Sequence, residues 1–150
     1  MTKTDTVSTI TPTVTGDDIA DMDVIAASDK GARMKLLHPT TDDVLMIGED
    51  EQYIDVLGKD SRLYKEIMSE IQARQFTRAA RKKNVGAALR SIQNEVDSLE
   101  LLAKLCTGWR IWIDGQSPKF TEGAAKQVLG DYPWIYEQVD EFIGNRANFL

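Results

Sequence analysis

The chain has one cysteine, one histidine and four prolines among 150 residues. Each scarcity removes a kind of chemistry. Cys106 has no internal partner for a disulfide and cannot build a Cys-rich zinc site. With His38 as the single histidine, metal sites built on paired His or on His with Cys are nearly excluded. A Ser-His-Asp or Cys-His nucleophile would have to use His38, directly before Pro39, and nothing marks a serine or Cys106 as its partner. No apolar run approaches the roughly 20 residues that cross a bilayer. The opening MTKTDTVSTITPTVTGDD lacks the apolar core of a secretory signal. GEDEQ (48–52) and GKDS (58–61) match neither phosphate-binding glycine pattern. The carboxylate pairs Asp17/Asp18 and Asp42/Asp43 lie in polar loops, without the closed, desolvated site that tuned acid–base chemistry needs. These absences predict a soluble protein of a reducing compartment, with no enzyme activity, no cofactor, no metal and no membrane segment.

What is present suits one modest core. Apolar residues make up 42% of the sequence, at the low edge of globular composition. The formal net charge is −6, and it is unevenly spread. Residues 1–60 carry 5 basic and 13 acidic side chains, residues 61–95 carry 8 and 3, and residues 96–150 carry 5 and 8. An acidic start, a basic middle and a mildly acidic end suggest interaction surfaces or self-association, with unlike segments attracting.

Residues 1–30 read as a disordered acidic, Thr-rich tail. Seven of the first fifteen residues are Thr, so ordering them would bury little apolar surface. Ile19, Met22 and Ile25, three apart, could form a short helical face on binding a partner. Residues 31–150 read as a single domain. Its front, 31–58, is predicted to be a small antiparallel β meander: ARMKLLH, VLMI and YIDVL, separated by polar turns. Pro39 ends the first run, and Ile54 and Val56 alternate with Asp55 on the third. Such a meander must pack on something helical.

Residues 60–150 read as three or four helices. Asp60 or Ser61 caps the first, whose apolar stripe is Leu63, Ile67 and Ile71. The second spans Ala87 to Leu105, with Leu89, Ile92, Val96, Leu99, Leu102 and Cys106 at helical spacing, which puts Cys106 on a buried stripe as an inert thiol. GWRIWIDGQSPKF reads as a connector. Thr121 caps a short third helix. Asp131 can cap the fourth, with Pro133 in its first turn and Ile135, Val139, Phe142 and Ile143 on its apolar face. The fold class is therefore α+β, mostly helical.

Two groups of side chains are candidates for binding. Arg74, Arg78 and Arg81 share a helix face and could form a charged rim or neutralise phosphates. No nucleic-acid recognition fold accompanies them, and the chain is acidic overall, which disfavours nucleic acid as the partner. Trp109, Trp112, Phe120, Tyr132, Trp134 and Phe149 are candidate partner-binding aromatics, placed near helix ends where such residues anchor cores or interfaces.

The ordered series Trp109 or Trp112, Pro118, Phe120, Thr121, Ala124, Leu129, Tyr132, Pro133, Gln138, Val139, Arg146, Asn148 and Phe149 resembles the tail assembly chaperones of long-tailed phages. The likeness is closest over residues 99–149. It extends loosely through GKDS to the β segment. The Trp-Arg-Ile-Trp stretch departs from the family's single tryptophan followed by acidic residues. The resemblance implies a non-enzymatic assembly factor that binds the tape measure protein, keeps it soluble and helps tail-tube protein polymerise around it. It also implies work in the host cytoplasm, absence from the finished virion, a possible homo-oligomer, and a longer fusion product made by ribosomal slippage, of which an end at Leu150 would be the short form. A structural tail or neck protein retained in the virion is the competing reading. A nucleic-acid-binding regulator using the basic helix is a lesser one.

Overall fold

The computed structural model describes residues 18–81 and 86–150. It is an α+β fold, mostly helical, with a small antiparallel sheet followed by helices. The expected disorder of residues 1–17 lies outside the described residues. From residue 18 the expectation of a tail is corrected. A 3₁₀ turn, Ile19–Met22, leads into helix α1, Val24–Lys30. Asp23 caps α1, its carboxylate accepting from the Ala26 N–H at 3.0 Å. Aspartate is a strong N-cap, so the acidic composition that suggested disorder here starts a helix instead.

The sheet also differs from a simple meander. Strand β1, Ala32–Lys35, pairs antiparallel with β4, Tyr53–Val56. Between them β2, Met46–Ile47, and β3, Asp50–Glu51, form a separate two-stranded hairpin. The third strand of the main sheet is β5, Cys106–Arg110, so the order is β1-β4-β5. Cys106 therefore begins a strand rather than ending a helix, although it stays buried. The reason is local. The helix before it stops at Leu105, and Thr107 and Trp109 are strand formers; Trp109 pairs with Ile54 and Gly108 with Asp55, while Thr107 falls at the register shift between Asp55 and Val56. The inner face alternates as a half-buried sheet should, with Met34, Leu36, Ile54 and Val56 closed to solvent. The outer face is polar: Arg33 forks onto Asp55, its registered neighbour on β4, and lies 3.6 Å over the Tyr53 ring.

Four longer helices complete the fold: α2, Arg62–Arg81; α3, Ala87–Leu105; α4, Glu122–Asp131; and α5, Pro133–Gly144. Ser61 caps α2 by accepting from the Tyr64 N–H at 3.1 Å, and Thr121 caps α4 in the same way. Asp131 does not cap α5. It is the last residue of α4, and Tyr132 stands at the boundary without a side-chain bond. Pro133 needs no help there, since its ring already holds the helical φ. The core closes where Ile67 and Ile71 of α2, Leu102, Ala103 and Leu105 of α3, Val128 and Leu129 of α4, and Val139 and Ile143 of α5 meet the sheet.

Two motifs far apart in sequence meet behind this core. Gly58 passes so close to Ser28 and Phe149 that a Cβ there would stand 2.5 Å from the Ser28 hydroxyl and 3.2 Å from the Phe149 ring. Two residues on, Asp60 receives a forked pair of hydrogen bonds from Arg146 at 2.6 and 2.9 Å. GKDS and Arg-Ala-Asn-Phe are the two halves of one clasp.

Candidate functional site

The six candidate aromatics separate into packing and contact roles. Trp109 stands edge-on to Phe120, ring centroids 5.1 Å apart, and its indole N–H donates to the Pro118 carbonyl. Phe149 meets Phe142 edge-on at 5.6 Å. All three are half-buried against the core. These contacts make them supports.

The structure brings the other three together. Trp112, Tyr132 and Trp134 line a cleft of about 220 Å³. Its apolar walls come from Leu36, Leu45, Ile111 and Ile135. Gln52 and Asp114 supply polar edges. The cleft is smaller than pockets that enclose drug-sized molecules, roughly 300–1,000 Å³. It is the right size for one large side chain of a partner. Tyr132 and Trp134 are half-buried in its wall, whereas Trp112 is 49% exposed. An amphipathic ring at a wet edge beside an apolar hollow is the common build of an interface anchor.

Local chemistry fixes that edge. Trp112 follows β5 by two residues and would be free to turn. Its backbone N–H instead donates to the Gln52 side-chain oxygen at 2.9 Å. Gln52 also joins the backbones of Leu36 and Leu45 through its own main chain. Immediately after Trp112, Asp114 and Gly115 both take positive φ, 52° and 76°, and Ile113 pairs with Gln116 across them. That is the type I′ geometry for which Asp-Gly is favoured. The connector expected over GWRIWIDGQSPKF is thus a strand, an anchor residue and a tight hairpin. From the other side, Gln138 on α5 holds the rim strand. Its amide accepts from the Leu37 N–H at 3.0 Å and donates to the Leu37 carbonyl at 2.8 Å, standing in for a strand neighbour.

The charged rim is corrected. Arg78 donates to Asp97 at 2.7 Å, and Arg74 forks onto Glu100 at 3.1 Å while reaching Asp97 at 3.7 Å. Asp97 is buried. These arginines face α3 because a buried carboxylate is tolerated only when paired, and they are the partners within reach. Glu100 is held below the usual carboxylate range, first by its hydrogen bond from Arg74. Of the three arginines, Arg81 alone has no ion pair among the described residues.

The single cysteine and the single histidine are both engaged in the fold. Burial pushes the Cys106 thiol up to about 12, and its S–H donates to the Leu102 carbonyl. His38 uses Nδ1 to accept from the backbone N–H groups of Thr40 and Thr41, closing the turn after β1. Among the described residues no group of three or more His, Cys, Asp or Glu could hold a metal ion. Among them, too, no helix is long and apolar enough to cross a membrane.

Sequence reasoning missed Gln52. It lies in a polar stretch, and the reach of its side chain to residue 112 leaves no periodic signature. It also missed an exposed surface. Leu89, Ile92 and Val96 occupy the first half of the α3 stripe, where helical spacing predicts burial, yet all three are exposed. Leu99, Leu102 and Ala103 continue the same stripe into the core. No family model, curated protein or solved structure matches the chain.

Proposed function

We propose that this protein is a non-enzymatic tail assembly chaperone. In this role it binds the tape measure protein, keeps it soluble and promotes assembly of tail-tube protein around it. The reading starts from the resemblance over residues 99–149. The observation that supports it is the aromatic cleft, with an exposed Trp112 at its mouth and Tyr132 and Trp134 in its wall. A tape measure protein is long and presents apolar helical stripes before assembly. A small anchor pocket with a polar edge takes one side chain from such a stripe with modest affinity, and many copies along the length supply the rest. A holding factor must also let go, which a shallow site permits.

The test is co-expression with the long, helix-rich protein encoded just downstream in the source genome. Soluble recovery of the long protein should depend on this chain, and Trp112→Ala should lower it. Loss of co-purification in Trp112→Ala with an unchanged thermal midpoint supports the cleft as the contact. Failure of the wild-type chain to co-purify, together with its stoichiometric presence in purified particles, would replace this reading with a structural virion protein.

A further inference from the structure

Helix α3 projects an apolar stripe that no described residue covers. Leu89, Ile92 and Val96 follow one another at i, i+3 and i+7, so they share one side of α3. Ile92 is 57% exposed. The α4 helix covers the same stripe further along, where a Cβ at Gly130 would stand 3.6 Å from the Leu99 side chain. Towards the hairpin turn there is no cover among the described residues. The charge around this turn is of one sign. Residues 78–90 contain five basic side chains and no acidic one, and of these Arg78 is already paired with Asp97. A second hairpin of the same kind would bring like charges together, which disfavours hairpin-on-hairpin packing.

A complementary patch lies at the opposite end of the molecule. Residues 17–23 contain four aspartates and no basic residue. Ile19 is 84% exposed, and Met22 and Ile25 are exposed beside it. The 3₁₀ turn and α1 therefore present three apolar side chains among carboxylates, with no core to receive them. Within one copy the two patches stay apart. Ser28 packs at Gly58, and Asp29 accepts from the Arg62 N–H and pairs with its guanidinium. Those contacts tie α1 to the start of α2, and the hairpin turn is at the far end of that helix. At 1.5 Å per residue the separation along α2 is on the order of 25 Å.

We propose that the acidic apolar segment 18–25 of one copy docks on the α3 stripe Leu89-Ile92-Val96 of a second copy. Apolar contact supplies the adhesion, and the positive charge at the end of α2, where Arg81 stands, meeting the aspartates supplies orientation and selectivity. The contact is heterologous. Every pair leaves one stripe and one acidic segment unfilled, so association continues until a ring closes or an open array forms. This self-association is independent of the aromatic cleft.

Sedimentation velocity of the purified chain, without any other protein, tests it. At low salt the wild type should form species larger than a dimer as concentration rises, and raised salt should weaken them. Two surface variants divide the contact. Ile19→Ser/Met22→Ser removes the inserted segment but keeps the stripe. Ile92→Ser/Val96→Ser does the reverse. Each should be a monomer alone, and an equimolar mixture should give a heterodimer that grows no further. All four positions are exposed, so both variants should keep the wild-type circular dichroism spectrum. A wild type that remains monomeric at every concentration overturns the proposal. So does an Ile19→Ser/Met22→Ser variant that assembles as the wild type does, which would point to a stripe-on-stripe contact. So does a mixture that stays monomeric. A monomeric wild type that still solubilises the long partner would sink this inference and leave the chaperone reading standing.

Discussion

The sheet end and the hairpin turn solve the same problem in opposite ways. At the sheet end the inward side chains Met34, Leu36, Ile54 and Val56 are buried, and irregular backbone is pinned by amides, Gln138 on Leu37 and Gln52 on Trp112. At the hairpin the helices are joined by a buried carboxylate and two arginines, while apolar side chains stand in water. The first arrangement makes a fixed shape. The second holds two helices in register and keeps their flank available. The sheet end can thus hold a preformed cleft, while the α2–α3 end offers a bare helix flank.

The comparison predicts unequal sensitivities. Leu105 is fully buried where α3 enters the sheet, and Leu105→Ala should cost about 2–5 kcal/mol in urea unfolding. Asp97→Ala should cost less, about 1–3 kcal/mol, because Arg78 loses its ion partner but can still turn toward water, while Arg74 keeps Glu100. Its loss of hydrogen-exchange protection should be confined to the facing turns of α2 and α3. If protection fell equally in β4, the two ends would not be separable units. At the smallest scale, Ile92→Ser should leave stability within about 0.5 kcal/mol of the wild type, since the side chain is already exposed. A large loss at concentrations where the chain is monomeric would mean that the stripe is covered within its own chain.

Acid should reach both ends through different carboxylates. Asp60 is held below the usual carboxylate range, first by the Arg146 hydrogen bond, and Glu100 by Arg74. A depressed folded-state value means that the associated stability is fully present above the unfolded carboxylate range, about 3.9–4.3. It is lost as pH falls through the lower folded values. The unfolding midpoint should therefore drop below about pH 4, and Arg146→Gln should flatten only the Asp60 share. Cys106 gives a cleaner reading of the sheet end. With its thiol buried and pushed up to about 12, alkylation should be slow in the native protein and fast in urea. Rapid native labelling would show that β5 opens.

The sequence showed the local parts of this fold and hid the distant pairings. Ser61 and Thr121 were readable as caps because a cap is written within four residues. The stripe Leu63, Ile67, Ile71 was readable for the same reason, and Ile67 and Ile71 are indeed buried. Strand β5 was not, because its partner β4 lies some fifty residues earlier and nothing in Cys-Thr-Gly-Trp-Arg names it. The α3 stripe was half right. Periodicity tells which residues share a face but not how far the covering element extends, and α4 is shorter than the stripe it covers. For the site, the structure gathers Trp112, Tyr132 and Trp134 of the six candidate aromatics at one cleft. Which of them line the cleft depended on Gln52 and on a two-residue hairpin, both outside any periodic signal. Arg74 and Arg78 illustrate the converse error, since a basic helix face looks free until a buried aspartate is placed opposite.

The Gly58 clasp has a consequence in time. Asp60 and Arg146 are 86 residues apart, so Arg146 and Phe149 are synthesised long after Gly58. The front of the domain can therefore form its caps and turns early, but the seam behind the core closes only when residues 146–149 arrive. A nascent molecule is obliged to wait, with Gly58 and the start of α2 uncovered, until those residues are outside the tunnel.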